Sequence, residues 1–241
     1  MPSIMKKVLI TGSSSGIGAA IADLLLSQQM TVVGIARTHK NAHPNYFPYS
    51  IDCSQLVGLE TAFKKVHAAH EDIDAVICCC GFGHFVELEQ FSFQQMQAMM
   101  NVNFLSQALL IKTFISTLKK REAAKIILLG SECAQIGQKK GSLYCASKFA
   151  LRGFAQSLRH ECRAANIAVS LINPGMVDTP FFEHLEFRPG SDDSHAIQPE
   201  QIAAMIEMVL KLDNNCVVEE INCQQMVKVI VKNTSAKAGE L

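Results

Sequence analysis

Apolar residues along the chain fall into short unbroken runs, separated by longer stretches in which they return every three or four positions. Lys7 to Ile10, Thr31 to Ala36, Ile73 to Cys79, Lys125 to Gly130 and Ile167 to Ile172 are runs of the first kind. Such runs belong to strands covered on both faces. Between them, Ile17, Ala20, Ile21, Leu24 and Leu25 repeat at helical spacing. Further helices are expected from a cap at Ser54 to about Ala69, from Ser92 to about Lys119, from Leu143 to about Ala165, and from Pro199 to about Leu212. Ser92-Phe93-Gln94-Gln95 has the form of a capping box, and Asn101-Val102-Asn103 interrupts the apolar helix that it opens. Tyr46 to Ile51, with Pro44 and Pro48, fits an edge strand, and Val217 to Asn222 fits a last one. Strands alternating with helices predict an α/β fold, a doubly wound parallel sheet with helices on both faces, in a single domain over residues 1–241. Residues 181–197 mix aromatics and acids without a period and are expected to form a lid, and 233–241 a frayed tail.

Composition narrows the partners. Apolar residues are 49% of the 241, enough for one large core, while Lys+Arg and Asp+Glu balance at 22 each with a pI near 7.1. That balance argues against nucleic acid or an acidic membrane surface and for a small-molecule or protein partner. The nine cysteines are odd in number and contain no C-x-x-C pair, so they are not a disulfide framework. Reduced thiols suit a cytoplasmic location. Cys78, Cys79 and Cys80 alternate faces in a strand and so cannot close together on one metal ion. The opening apolar run lasts three residues, too short for a signal sequence, and no membrane span is expected.

Chemistry concentrates after the strands. Thr11-Gly12-Ser13-Ser14-Ser15-Gly16-Ile17-Gly18 stands between the first strand and the first helix. Strand, glycine-rich turn and helix N-terminus together make a seat for a pyrophosphate. An acid at the end of the second strand would hold a ribose 2′-hydroxyl, but here Ala36 is followed by Arg37, which suits a 2′-phosphate. NADP(H) is therefore favoured, with NAD(H) the alternative. Asp52, after the third strand, is placed to meet an adenine, and Gly81 lets a backbone pass close to a cofactor. Ser131 closes the Lys125–Gly130 strand at its carboxyl end, where ligands of open parallel sheets collect.

Tyr144 and Lys148 lie four apart on the next helix, about 5–6 Å at Cβ on one face. Bringing a phenol from pKa about 10 to about 7 takes roughly 4 kcal/mol. An ammonium about 4 Å away at an effective dielectric of about 20 supplies that much. Tyr144 is thus expected to become an acid–base with a lowered pKa.

Thr11-Gly12-x-x-x-Gly16-x-Gly18, Asn103 in Asn-Val-Asn, Ser131, Tyr144-x-x-x-Lys148 and Pro174-Gly175, in that order and at that spacing, resemble the short-chain dehydrogenase/reductase family from residue 6 to about 223. The resemblance implies a Rossmann-type sheet of about seven strands, and hydride exchange between nicotinamide and a carbonyl or alcohol. It implies a cofactor held by Gly12, Ser13, Ser15, Gly16, Ile17, Gly18, Arg37, Asp52 and Cys53 at its adenosine and pyrophosphate end. Cys80, Gly81, Tyr144, Lys148, Pro174, Gly175, Val177 and Thr179 would hold the nicotinamide end. Ser131 would bind the substrate oxygen, Tyr144 carry the proton, Lys148 bind the ribose and lower the Tyr144 pKa, and Asn103 hold a relay water. Family likeness also implies a dimer or tetramer through two long helices.

This chain departs from the family in three places. Cys78-Cys79-Cys80 replaces Asn-Asn-Ala, which questions the local sheet hydrogen bonding; Gly130 stands where a second Ser is common; and Ser15 is not basic. Candidate substrate walls are His84, Phe85, Cys133, Gln135, Met176, Phe181 and Phe182. The competing function is a dinucleotide sensor or scaffold that keeps the fold without the chemistry.

Overall fold

The computed structural model describes residues 5–39 and 42–234. The first half of the fold is β1 (Lys7–Thr11), α1 (Gly16–Ser27), β2 (Thr31–Ala36), β3 (Tyr46–Ser50), α2 (Leu59–Ala69) and β4 (Ala75–Cys78). Then come α3 (Phe93–Met100), α4 (Ser106–Leu118), β5 (Ala124–Leu129), α5 (Ser142–Cys162) and β6 (Ile167–Pro174). The chain continues through β7 (Phe187–Pro189), α6 (Pro199–Lys211), β8 (Glu220–Cys223) and β9 (Ile230–Lys232). Seven strands form one sheet in the order β3-β2-β1-β4-β5-β6-β8, every pair parallel. The chain builds outward from β1 in one direction, then returns to its other side at β4. That reversal opens a crevice at the carboxyl ends of the central strands, where an open α/β sheet binds its ligand.

Two apolar layers sandwich the sheet. Ile21, Leu25, Ile202 and Ile206, from α1 and α6, pack on one face with Val8, Ile10 and Ile127. Phe63, Leu110, Phe114 and Leu151, from α2, α4 and α5, pack on the other with Leu9, Val76 and Ile126. Alternate residues of β1 and β5 thus feed opposite layers, which is why these strands read as unbroken apolar runs. Lys125 is buried in the middle of this, its Nζ donating to the Leu212 carbonyl at 2.8 Å and to Asn214 Oδ1 at 2.9 Å.

Several boundaries differ from expectation. The helix expected from Ser54 begins at Leu59, because Gly58 (φ +80°) turns the chain and supplies the N-cap position. The Ser92 capping box forms, its hydroxyl accepting from Gln95 N at 3.2 Å. At Asn101–Leu105 the long helix passes through one π-turn rather than breaking. The joined run Phe93–Leu118 is, by length and composition, long and apolar enough to cross a bilayer, a span the apolar pattern did not predict; 44% of its apolar window is buried in the protein.

β7 and β9 pair antiparallel in a small second sheet that no sequence pattern announced. Asn233 is not frayed: its backbone donates to Glu186 O, and its carboxamide donates to the Phe182 and Leu185 carbonyls at 2.9 and 3.0 Å. Residues 235–241 of the expected tail lie outside the described residues.

Candidate active site

The glycine loop is shaped by two steric demands. Gly12 sits at φ +69°, in the left-handed region that penalises a Cβ. At Gly18 a Cβ would stand 2.2 Å from the Gly12 carbonyl, so only glycine lets the first turn of α1 close onto the loop. Ser15 occupies the N-cap, yet its hydroxyl makes no capping bond. Ile17 follows in the first turn of α1. The Ser13 hydroxyl is buried and bonded to Tyr46 OH at 2.8 Å, leaving its backbone as the part that could face a ligand. Tyr46 OH also meets His39 Nδ1 at 2.8 Å. This Ser13–Tyr46–His39 group beneath the loop escaped sequence reasoning.

The β4 loop runs alongside. Thr11 Oγ1 accepts from both Cys79 N and Cys80 N at 3.1 Å, and Gln107 Nε2 donates to the Cys80 carbonyl at 2.7 Å. The three-cysteine stretch is therefore tied to β1 and α4 without the amides usual in the family. Arg37 and Asp52 are exposed at the ends of β2 and β3, and Asp52 Oδ1 accepts from Ser54 N at 2.9 Å. Gly130 leaves no room for a serine, since a Cβ there would lie 2.0 Å from Asn173 Oδ1.

Around α5 the expected catalytic residues do come together. Ser131, at the end of β5, stands close enough to Tyr144 for its hydroxyl to favour the phenolate. The Ser131 hydroxyl also accepts from Cys133 N at 3.2 Å, which fixes it on its turn. Lys148 Nζ lies 5.8 Å from the Tyr144 ring centroid and donates to the Leu129 carbonyl at 2.9 Å. A Cβ on Gly81 would be 3.6 Å from that amine, so the β4 loop passes directly beside it.

Asn103 is wholly buried. Its Oδ1 accepts from Phe82 N at 3.0 Å, and its Nδ2 donates to Phe82 O and to Ser147 Oγ, both at 3.0 Å. Those bonds use both amide protons, so the side chain clamps the β4 loop to α5 instead of donating to a relay water. Ser147 lies inside the Tyr-x-x-x-Lys motif and was the legible signal for this clamp.

The electrostatics run opposite to the sequence expectation. Burial pushes the Tyr144 phenol up rather than down; nearby Cys133 adds to the rise, and the Ser131 hydroxyl offsets part of it. Burial lowers Lys148 to about 8, opposed by the thiols of Cys79, Cys80 and Cys133. The sequence argument counted only the attraction between the two groups; here both are enclosed, and desolvation favours their neutral forms.

Aromatic rings do the enclosing. Phe85 and Phe181 stack at 5.1 and 5.9 Å from the Tyr144 ring, Phe187 closes on Phe85 at 5.1 Å, and Phe182 on Phe181 at 5.3 Å. His84 packs edge-on to Phe91, and burial lowers its pKa. Cys133 lines the same cluster, and Met176 is buried nearby in sequence to Thr179. Gln135 does not join the wall: it is exposed and bonded to Asn222.

Pro174 ends β6, Gly175 N donates to Cys223 O at 2.8 Å, and Val177 bridges Ile197. Thr179 comes back across to the glycine loop, its Cγ2 3.1 Å from where a Cβ on Gly16 would be. A cavity of about 630 Å³ borders Thr179, Phe182, Arg188 and Asn233 but does not reach Tyr144.

A parallel doubly wound sheet with a glycine loop after β1 and a Ser–Tyr–Lys group beyond β5 defines an oxidoreductase acting on CH–OH and C=O groups. A model of the short chain dehydrogenase family matches residues 6–188, and the chain belongs to that family. An alcohol dehydrogenase from the archaeon Thermococcus sibiricus, solved with 5-hydroxy-NADP, superposes with a TM-score of 0.80 at 27% identity, covering 97% of this chain and 98% of its own. An uncharacterized oxidoreductase of Schizosaccharomyces pombe is 28% identical over 88% of this chain and 80% of its own. The 3-dehydrosphinganine reductase of Danio rerio is 30% identical over 83% of this chain; the match spans only 66% of that relative's length.

Proposed function

We propose that this chain exchanges hydride between NADP(H) and a carbonyl or alcohol borne on an apolar body, with Tyr144 carrying the proton. The observation that carries the reading is the grouping of Ser131, at the carboxyl end of β5, with Tyr144 and a buried Lys148 one helical turn further along α5. A dinucleotide fits the residues present, because Gly12 and Gly18 let the loop close onto the start of α1 and the β4 loop with no side chain between, leaving the N-terminus of α1 to meet a pyrophosphate. Gly16, Ile17 and Ser15 would offer it the start of α1, and Thr179 the far side. Cys53, Cys80, Gly81, Pro174, Gly175 and Val177 would line its length. Arg37 favours a 2′-phosphate, in keeping with the 5-hydroxy-NADP of the archaeal relative. When bound, the nicotinamide supplies or accepts the hydride.

The rest of the chemistry falls to side chains. Ser131 and Tyr144 present two O–H donors to one substrate oxygen. That oxygen gains negative charge on reduction, so donors already aimed at it stabilise the transition state more than the ground state. Tyr144 gives its proton to that oxygen and recovers it in the reverse direction. Its raised pKa keeps it protonated at neutral pH, the form that carbonyl reduction requires. Phe85, Phe181 and Phe182, on the segments around the site, favour an apolar substrate; residues 181–197 would open and close over it as a lid. A dimer or tetramer through the long helices, and a cytoplasmic setting that keeps the thiols reduced, complete the proposal by family analogy.

The test is NADPH oxidation followed by absorbance over ketones, aldehydes, quinones and pteridines of matched size and differing polarity. Turnover weighted to apolar carbonyls is expected. NADPH binding with no turnover of any of them would contradict the catalytic reading and favour the sensor, a reading to which the closed aromatic cover over Tyr144 also lends itself.

A further inference from the structure

Residues 224–233, which follow β8, join two parts of the candidate site that lie far apart in the chain. On one side they run along the lid. Val227 N donates to Ser194 O at 3.0 Å, Gly190 N donates to Val229 O at 3.1 Å, and β9 pairs with β7. Asn233 finishes the seam by donating to the Phe182, Leu185 and Glu186 carbonyls. The lid fastened in this way carries Phe181, which stacks on Tyr144, and Phe187, which closes on Phe85.

On the other side the same residues grip the turn after β5. Lys228 Nζ donates to both carboxylate oxygens of Glu132, at 2.9 and 2.8 Å, and Gln224 Nε2 adds a third bond at 3.3 Å. Glu132 directly follows Ser131, within the turn that Ala134 N closes on the Ser131 carbonyl at 2.8 Å. An ion pair between two freely exposed side chains contributes little. Here the Glu132 side chain is only 15% exposed, and both its oxygens are engaged by a lysine whose neighbours Val227 and Val229 are pinned to the lid.

We propose that residues 224–233 are a strap tying the lid to the Ser131 turn, with Glu132 and Lys228 its latch and the positioning residues for Ser131. Lifting the lid requires either unzipping its backbone bonds to the strap or parting one ion pair whose lysine side is 42% exposed. The ion pair gives way first, because the backbone bonds are several and would have to open together. The strap therefore travels with the lid and releases Glu132 when the site opens. Closure over a bound molecule brings Lys228 back onto Glu132 and sets the Ser131 hydroxyl toward Tyr144. The latch stands on the bonds above; its effect on Ser131 as a donor rests on the proposed function.

The experiment measures amide hydrogen exchange in the full-length protein without ligand, at residues 131–135 and 186–194. Neither stretch contains Lys228, so Lys228→Met leaves their intrinsic rates unchanged. Lys228→Met is expected to speed exchange in both stretches about fivefold, the ratio that corresponds to about 1 kcal/mol. Lys228→Arg keeps a cation able to engage both oxygens and should exchange as wild type. Lys64→Met, which removes a 3.1 Å pair with Glu60 on α2, is the control and should leave both stretches unchanged. Wild-type rates in Lys228→Met, or acceleration confined to one stretch, would overturn the strap.

With a turned-over carbonyl, Lys228→Met should lower kcat about fivefold with NADPH affinity unchanged, and Lys228→Arg should restore it. Faster exchange with wild-type kcat and KM would overturn the positioning role while the latch stands. A wild type that turns over no carbonyl would overturn the catalytic reading, and the Ser131 role with it, and leave the latch decided by the exchange rates.

Discussion

The Asn103 carboxamide donates to the Ser147 hydroxyl at 3.0 Å, and that hydroxyl in turn donates to the Tyr144 carbonyl at 2.7 Å. Through this relay a residue in the π-turn of one helix fixes the backbone of another at Tyr144. Replacing Asn103 by Ala strips partners from Ser147 and from both backbone groups of Phe82. Each buried polar group left unsatisfied costs about 1–3 kcal/mol, so urea denaturation of Asn103→Ala should show a loss of roughly 3 kcal/mol. Ser147→Ala should cost less, about 1–2 kcal/mol. A loss below about 0.5 kcal/mol for Asn103→Ala would mean the clamp is not a structural link.

Lys148 makes the stability of the fold depend on pH. Its folded pKa of about 8 lies below the ordinary 10.5, so between those values the unfolded chain holds a proton that the folded chain has lost. Stability therefore rises with pH across that window, by up to about 1.4 kcal/mol per unit and about 3 kcal/mol in total. Tyr144 works the other way above pH 10, because its folded pKa is raised and the unfolded chain loses its proton first. Buried thiols raised by burial lose stability over the same range, so the lysine is read from pH 8 to 10 as the difference between wild type and Lys148→Met. Wild type should gain stability over this range relative to Lys148→Met; parallel curves for the two would contradict a buried, proton-shedding Lys148.

Gly18→Ala places a Cβ 2.2 Å from the Gly12 carbonyl, a contact that backbone must move to relieve. The expected result is a loss of about 1–3 kcal/mol, with NADPH affinity reduced along with it. Gly153, with open space around it on α5, is the control: Gly153→Ala should leave the melting temperature unchanged or raised, by about the 0.4–1 kcal/mol typical of a compatible site. Equal thermal shifts in the two variants would remove the argument for a tight loop.

What could be read from the sequence was local or periodic. The strand at Ile126 to Leu129, the helix carrying Tyr144 and Lys148, and the glycine turn each declare themselves within a few residues. Ser131 followed from one general rule about strand ends. The direction of the Tyr144 shift was not readable, since it depends on Phe85 and Phe181 folding over the ring from segments far away in the chain. The Ser13–Tyr46 bond joins residues 33 apart, and neither hydroxyl marks itself in a linear pattern. β7 and β9 escaped because three-residue strands give no period, and their pairing partner lies more than forty residues on. The Asn173 side chain that excludes a Cβ at Gly130 comes from a different strand altogether.

On the proposed function, Arg37 would select the dinucleotide. It stands exposed just beyond β2, where the adenosine ribose would lie. Arg37→Asp should lower NADPH affinity by about tenfold or more while changing NADH affinity little, since losing one charge-assisted hydrogen bond of about 1.5–3 kcal/mol touches only the 2′-phosphate. Equal losses for the two dinucleotides, read by titration calorimetry, would assign Arg37 a structural role.

Tyr144→Phe removes one hydroxyl and keeps the ring that Phe85 and Phe181 pack against. With a turned-over carbonyl in hand, single-turnover NADPH oxidation by this variant should fall by about 10²–10⁴-fold, with NADPH binding retained. Oxidation at the wild-type rate, with binding equally intact, would show that the proton comes from elsewhere.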